Sequence, residues 1–319
     1  MSPKLKTDAL NRRSRFAGRQ PTDKRIMLGE RDFAYFEALE RHGPLPSTYL
    51  YEFSKHLAHN HKGHQQRLTE LYNEDYTPHR GFYLERPEQQ YASINARYQP
   101  MSYELTDLGA QALRHHGIAK QMWEPPNGPY LHRFMTACIT ASIELACREQ
   151  GFIYLSQADI FSHRKAPEFL AEMEHPLSLP CGDGVIVPDQ LFGIDYGGKF
   201  RFFALEADRK TETIVSTKAM AKSFANKLKR YQYVLENQTF RDVWGIPVLT
   251  IMIVTVSEPH MRTMISQLNT QSKDAKITNR FLFKSKPEFG KYWTVPSIMT
   301  ELVSDPWERV GTPLNLSKP

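Results

Sequence analysis

The chain has 319 residues, enough to bury one large or two modest hydrophobic cores. Forty-one Lys and Arg against 35 Asp and Glu give a net charge of +6 and a pI near 9.0, which favours a polyanionic partner over an acidic small molecule. Cys138, Cys147 and Cys181 lack CxxC spacing and leave an odd thiol, so neither a disulfide framework nor a zinc site is indicated; with no apolar run near membrane-span length and no hydrophobic segment behind the basic N-terminus, a cytoplasmic protein is expected.

Residues 1–28 read as a basic arm, with Lys4, Lys6, Arg12, Arg13, Arg15, Arg19, Lys24 and Arg25 opposed only by Asp8 and Asp23. So few apolar residues cannot nucleate a core, and the arm is expected to be disordered when free, either tracking phosphates or serving as a solubilising tail. A first folded domain is expected over 29–122. Phe33, Phe36 and Leu39 recur at helical spacing until His42-Gly43-Pro44 stops the helix. A second helix begins at Ser47 or Thr48 and runs to about His56, and a third spans His64 to Asn73. Strands are expected at Gly81–Leu84 and Tyr103–Leu105, followed by a capped helix from Thr106 to about Gly117.

Three closely joined helices read as a helix-turn-helix, and the phrase Tyr103-Glu104-Leu105-Thr106-Asp107-Leu108-Gly109 behind them resembles winged-helix DNA-binding domains. That resemblance implies a third helix in the major groove, offering His64, Gln65, Gln66 and Arg67 to base edges, with Lys55, Lys62 and Arg80 on phosphates. The competing reading is a solvated helix face or a protein-packing surface. His56, His59, His61 and His64 lie in a glycine-broken stretch without cysteines, so solvated or phosphate-contacting histidines are expected there rather than metal ligands.

Pro125-Pro126-Asn127-Gly128-Pro129 marks the domain boundary, and a second domain is expected over 130–300 with a tail at 301–319. Leu131 to Gln150 is an amphipathic helix buried through Phe134, Cys138 and Leu145. Glu144 in its middle is read as a surface residue, with a metal-site role as the alternative. Phe152 to Leu155 is a strand, and Ser162 to Gly184 is expected to be a loop or short-helix insertion. Two further strands meet at the Gly197-Gly198 turn, the first opening at Asp189 and the second running from Phe200 to Lys210. Alternation puts Glu206, Asp208 and Lys210 on one face. A basic helix from about Ser216 to Asn237 follows, carrying Lys218, Lys222, Lys227, Lys229 and Arg230. The run IPVLTIMIVTV from Ile246 to Val256 is a buried central strand; Pro259 to Gln271 is a covering helix and Arg280 to Phe283 a last strand.

Carboxylates held close together raise one another's pKa or bind a cation, and oxygen ligands suit Mg²⁺ or Mn²⁺. Asp189, Glu206 and Asp208 are the expected metal ligands; a solvated polar sheet face is the plainer alternative. Pro188-Asp189, sixteen intervening residues and Glu206-Ala207-Asp208 resemble the PD-(D/E)xK motif of restriction-endonuclease-like nucleases. The longer pattern, Leu205 to Arg209, Thr211-Glu212 and Lys227-Leu228-Lys229-Arg230-Tyr231, resembles the replication-relaxation family of plasmids and integrative elements. The third motif position, normally lysine, is Asp208, so Lys210, Lys222 or Lys227 would take over its role.

The resemblance implies an α/β protein: an N-terminal winged helix-turn-helix and a restriction-endonuclease-like domain with a mixed central sheet flanked by helices. It also implies a metal-dependent DNA-nicking protein, with Lys210 or Lys227 steadying negative charge. Duplex DNA is the expected partner, single-stranded after nicking, and a homodimer is one arrangement open to it. The alternative is a non-catalytic DNA-binding regulator whose nuclease-like domain is a docking surface; hydrolytic defence against foreign DNA is a third.

Overall fold

Local sequence signals set most of the element boundaries in the computed structural model, which describes residues 18–57, 60–91, 98–118, 129–182, 184–209, 224–290 and 293–319. The described chain is a mixed α/β protein whose central mixed sheet is flanked by helices. It divides into two units, Met1–Ala137 with Tyr292–Ser297 and Cys138–Lys291 with Ile298–Pro319. The expected boundary sequence at 125–128, most of the basic arm, His59 and the stretch 210–223 lie outside the described residues.

In the first unit, α1 (Glu30–His42) starts where the Asp32 carboxylate accepts the Gly29 amide, and ends at Gly43, whose φ of 98° lies in the region that glycine tolerates. Then come β1 (Leu45–Pro46), α2 (Ser47–Ser54) and α3 (His61–Asn73), the last capped by the Asn60 side chain accepting from the Gly63 amide. β2 (Leu84–Glu85) and β3 (Ser102–Leu105) pair antiparallel, and β1 joins the other side of β3, giving the order β1-β3-β2. α4 (Asp107–His115) follows, capped by Thr106. Residues 18–28 of the arm are fixed rather than loose: Ile26 is fully buried and pairs with the Tyr76 carbonyl, and Arg19 donates to the Leu84 carbonyl at 2.9 Å while its guanidinium stacks over Phe82. Apolar Ile26 supplies the anchor that the charge count of the arm conceals.

Gly109 sits where the backbone needs closeness rather than flexibility. A Cβ there would stand 2.8 Å from the Tyr83 carbonyl oxygen and 2.4 Å from a Leu105 methyl. Gly109→Ala is therefore expected to destabilise the fold by about 1–3 kcal/mol, measured as a lower urea midpoint with an unchanged slope.

α5 (Tyr130–Gln150) runs from the first unit into the second. Its Phe134, Cys138 and Leu145 are buried as expected, but Glu144 is buried too, at 3 % exposure, and pairs with Arg148 at 2.5 Å. The second unit continues with β4 (Ile153–Leu155), α6 (Gln157–Phe161), β5 (Leu179–Cys181), β6 (Gly184–Ile186), β7 (Gln190–Asp195), β8 (Phe200–Asp208), α7 (Phe224–Asn237) and α8 (Thr239–Trp244). It closes with β9 (Thr250–Thr255), α9 (Glu258–Gln271), α10 (Ala275–Thr278), β10 (Phe281–Ser285) and α11 (Glu301–Ser304). The end of the segment expected to be a loop insertion forms a β5–β6 hairpin. Pro180 had concealed it; proline is tolerated in short edge strands.

The main sheet has the order β10-β9-β8-β7-β4. β7 and β8 form the expected antiparallel hairpin, turned at Gly197 and Gly198 with φ of 81° and 97°, conformations suited to glycine. β8, β9 and β10 run parallel, and every residue of β9 is buried, which explains its unbroken apolar run. One sheet face, with Leu191, Ala204, Ile251, Ile253, Phe281 and Phe283, packs in a cluster with Leu228, Tyr231 and Val234 of α7 and Met261, Met264 and Leu268 of α9. The expected C-terminal tail belongs to this unit's core: Trp307 and Leu316 are fully buried, and the Trp307 indole donates to the Leu302 carbonyl at 2.7 Å.

Candidate functional site

The face of β8 that meets α7 and α9 is apolar until residue 206, where carboxylates begin. Alternation brings Glu206 and Asp208 to that face as expected. Asp189 joins through the ladder. Just ahead of β7, its amide donates to the Leu205 carbonyl at 3.0 Å and its carboxylate accepts the Ala207 amide at 2.7 Å. The Asp189 side chain thus replaces a missing strand carbonyl and lies beside Glu206.

Glu206 is 5 % exposed. Its Oε2 accepts from Lys227 Nζ at 2.9 Å, and Oε1 accepts a short hydrogen bond from the Tyr231 hydroxyl. Lys227 and Tyr231 are one helical turn apart on α7, so a single helix face supplies both donors. Burial pushes the Glu206 carboxyl up to about 7; the neighbouring Asp189 charge adds to the rise, while Lys227 and Tyr231 oppose it. Burial, reinforced by Glu206, raises the Tyr231 phenol well above its usual value, so Tyr231 remains protonated as a donor at neutral pH.

Asp208 faces a different partner. Its Oδ2 lies 2.8 Å from His260 Nε2, near the start of α9, and 3.5 Å from the Thr255 hydroxyl at the end of β9. The structure therefore brings Asp189, Glu206 and Lys227 together and ties Asp208 to His260. Lys227 is the cation placed against Glu206; Lys210 and Lys222 lie outside the described residues. His260 was missed from sequence because it joins Asp208 across 52 positions with no local pattern.

The metal implied by the PD-(D/E)xK resemblance needs carboxylate oxygens. Among the described residues, no group of three or more His, Cys, Asp or Glu side chains is placed to hold an ion. The donor chemistry of the Asp189–Glu206 pair nevertheless fits Mg²⁺ or Mn²⁺, since such ions commonly use one or two protein carboxylates and complete their shell with water and phosphate. Each carboxylate oxygen of Glu206 has a second lone pair beyond the hydrogen bond it accepts.

The residues expected to read DNA separate into two sets. Lys55, Lys62, Gln65, Gln66 and Arg80 are exposed, with Lys55 paired to Glu52 at 2.6 Å and Gln66 donating to Glu70 at 3.1 Å. His64 and Arg67 are corrected to internal roles. His64 is fully buried: its Nε2 donates to the Ser47 carbonyl and its Nδ1 accepts from the Tyr35 hydroxyl, each at 2.8 Å. Arg67 grips the buried Asp32 with two hydrogen bonds of 2.7 and 2.8 Å, and donates to Glu70 and to the Met27 carbonyl. Helical periodicity turns residues 64, 68 and 71 inward.

Burial lowers the His64 pKa to about 4 against an ordinary 6.5, keeping the ring neutral. Below pH 6.5 the unfolded chain binds a proton that the folded chain refuses, so stability falls as pH drops from about 6.5 to about 4. The expected loss is on the order of 3 kcal/mol, absent in His64→Gln, read from urea unfolding at successive pH values.

Among the described residues no helix is long and apolar enough to cross a membrane. No curated protein and no solved structure matches the chain significantly. The family model described as replication-relaxation does match, over residues 36–249, about two thirds of the sequence. That span takes in Asp189, Glu206, Asp208, Lys227 and Tyr231, and stops short of His260. The chain belongs to the replication-relaxation family.

Proposed function

We propose that the protein is a site-specific, metal-dependent DNA-nicking protein, a relaxase or nickase, serving mobilisation or replication initiation of a plasmid or mobile element in the cytoplasm. In this reading the first unit is a winged-helix DNA-binding domain and the second a PD-(D/E)xK nuclease-like domain. The observation that carries it is the placing of Asp189 beside the buried Glu206, with Lys227 2.9 Å away. Gathering carboxylates in a buried place raises the cost of ionising them, and a divalent ion relieves that cost. With α6, the β5–β6 hairpin and α8 counted as insertions, the order α5-β4-β7-β8-α7-β9 also supports the nuclease-like reading, because it follows the helix, strand, strand, strand, helix, strand succession of that class.

When bound, Mg²⁺ or Mn²⁺ would polarise the phosphodiester and favour hydroxide over water. The chain's own residues supply the rest. Asp189 and Glu206 would hold the ion, and Tyr231 fixes the Glu206 rotamer from the buried side. The Lys227 side chain is 36 % exposed and offers an ammonium to the developing negative charge on phosphate. Exposed Lys62, Gln65 and Gln66 on α3 would meet duplex DNA, Lys62 at phosphates and the glutamines at base edges.

Purified protein incubated with supercoiled plasmid tests this: open circles with Mn²⁺, none with chelator, and no linear product are expected. A second reading, a non-catalytic DNA-binding accessory factor, is favoured by the internal partners that already engage the two carboxylates, Lys227 and Tyr231 on Glu206 and His260 on Asp208. Salt-sensitive DNA binding that ignores chelator, with plasmid left supercoiled, would establish that reading instead.

A further inference from the structure

A cavity of about 560 Å³ opens in the first unit between the exposed side of α3 and the residues flanking β2 and β3, within the size range of small-ligand pockets. Gln65 and Thr69 line it from α3, Arg86 and Tyr103 from the β2 and β3 side, and Tyr98 and Gln99 from the approach to β3. The lining is selective in its chemistry. It offers side-chain amides, hydroxyls, phenol rings, the His61 imidazole and one guanidinium beside Pro100 and Met101, but no carboxylate. Arg86 is pre-set rather than mobile: its guanidinium lies 4.2 Å from the Tyr72 ring centre and 5.2 Å from that of Tyr103, and it donates to the Tyr103 hydroxyl at 3.0 Å and the Thr69 hydroxyl at 3.2 Å. Tyr98 is 86 % exposed, an aromatic face with little covering it.

We propose that this cavity binds a single nucleotide unit, with the base stacked on Tyr98 and its edge read by Gln65 and Gln99, and the phosphate drawn to Arg86. Paired and stacked bases in duplex DNA cannot enter a space of this size, so the DNA source is an unpaired nucleotide. Amide side chains pair with base edges in two-point fashion, tyrosines stack on any base, and a lining without carboxylates does not repel phosphate. The proposal rests on the DNA-binding reading of this unit and adds to it a preference for opened strands.

The test uses the full chain with a fluorescent mixed-sequence single strand, the matching duplex, and unlabelled dAMP as competitor. Tyr98→Ala changes an exposed side chain outside the duplex-reading set and is expected to leave the fold intact. It is expected to weaken single-strand binding about tenfold while duplex binding changes less than about twofold. Displacement of the strand by dAMP, lost in Tyr98→Ala, would support the nucleotide chemistry; dAMP binding without strand binding would assign the pocket to a free nucleotide. Equal losses for strand and duplex would overturn the proposal, making Tyr98 part of a duplex surface. Unchanged binding of both by Tyr98→Ala would overturn the pocket while leaving the DNA-binding reading standing. A wild-type chain that binds no nucleic acid would remove both.

Discussion

Glu206→Gln is expected to lower divalent-ion-dependent nicking of supercoiled plasmid by roughly a hundredfold or more, with the protein still folded. Glutamine keeps the shape and can still accept from the Tyr231 hydroxyl, but it brings no negative charge to an ion shared with Asp189. It also leaves the Lys227 ammonium without its 2.9 Å partner. Because Lys227 itself is offered to the phosphate, urea unfolding of Glu206→Gln, Lys227→Met and the double variant, rather than nicking, measures that second effect. Open-circle formation by Glu206→Gln at the wild-type rate would show that the ion, if used, is held elsewhere.

Arg67→Ala is expected to cost the folded state about 3 kcal/mol or more, read as a drop in urea midpoint. Asp32 is 2 % exposed and its two oxygens both accept from Arg67, so truncation strands a buried carboxylate. Glu70 and the Met27 carbonyl lose a donor in the same step. A base-reading arginine would behave otherwise, leaving stability unchanged and relaxing preference at one base pair. The two outcomes differ in kind, so one variant decides between them.

These two residues show how far the sequence could be read. Period-2 alternation correctly set Glu206 and Asp208 on one face, because a strand repeats every second residue whatever surrounds it. The turn at Gly197-Gly198 and the apolar run of β9 were legible for similarly local reasons. Lys227 and Tyr231 were singled out by the family pattern, and both meet Glu206. Partners contributed by distant elements were hidden: nothing near Asp208 points to His260, and nothing near Arg67 points to Asp32, 35 positions earlier. His64 shows a different failure. A polar residue was assumed to face water, yet it sits inward at the position where Tyr35 and the Ser47 carbonyl satisfy both ring nitrogens. Two-residue β1 and the β5–β6 hairpin were too short for any periodic signal, and only their pairing partners define them.

β8 is hydrogen-bonded on both edges, to an antiparallel neighbour that arrives by a tight turn and to a parallel one that arrives by a crossover. A frame change within it has nowhere to dissipate. Deleting one residue between Phe200 and Leu205 would rotate the carboxylate of residue 206 into the layer occupied by Phe203 and Leu205, inverting the site in one step. A residue added at the glycine turn would instead be absorbed as a wider loop, so length variation in this hairpin is tolerated at its tip and forbidden along its second arm.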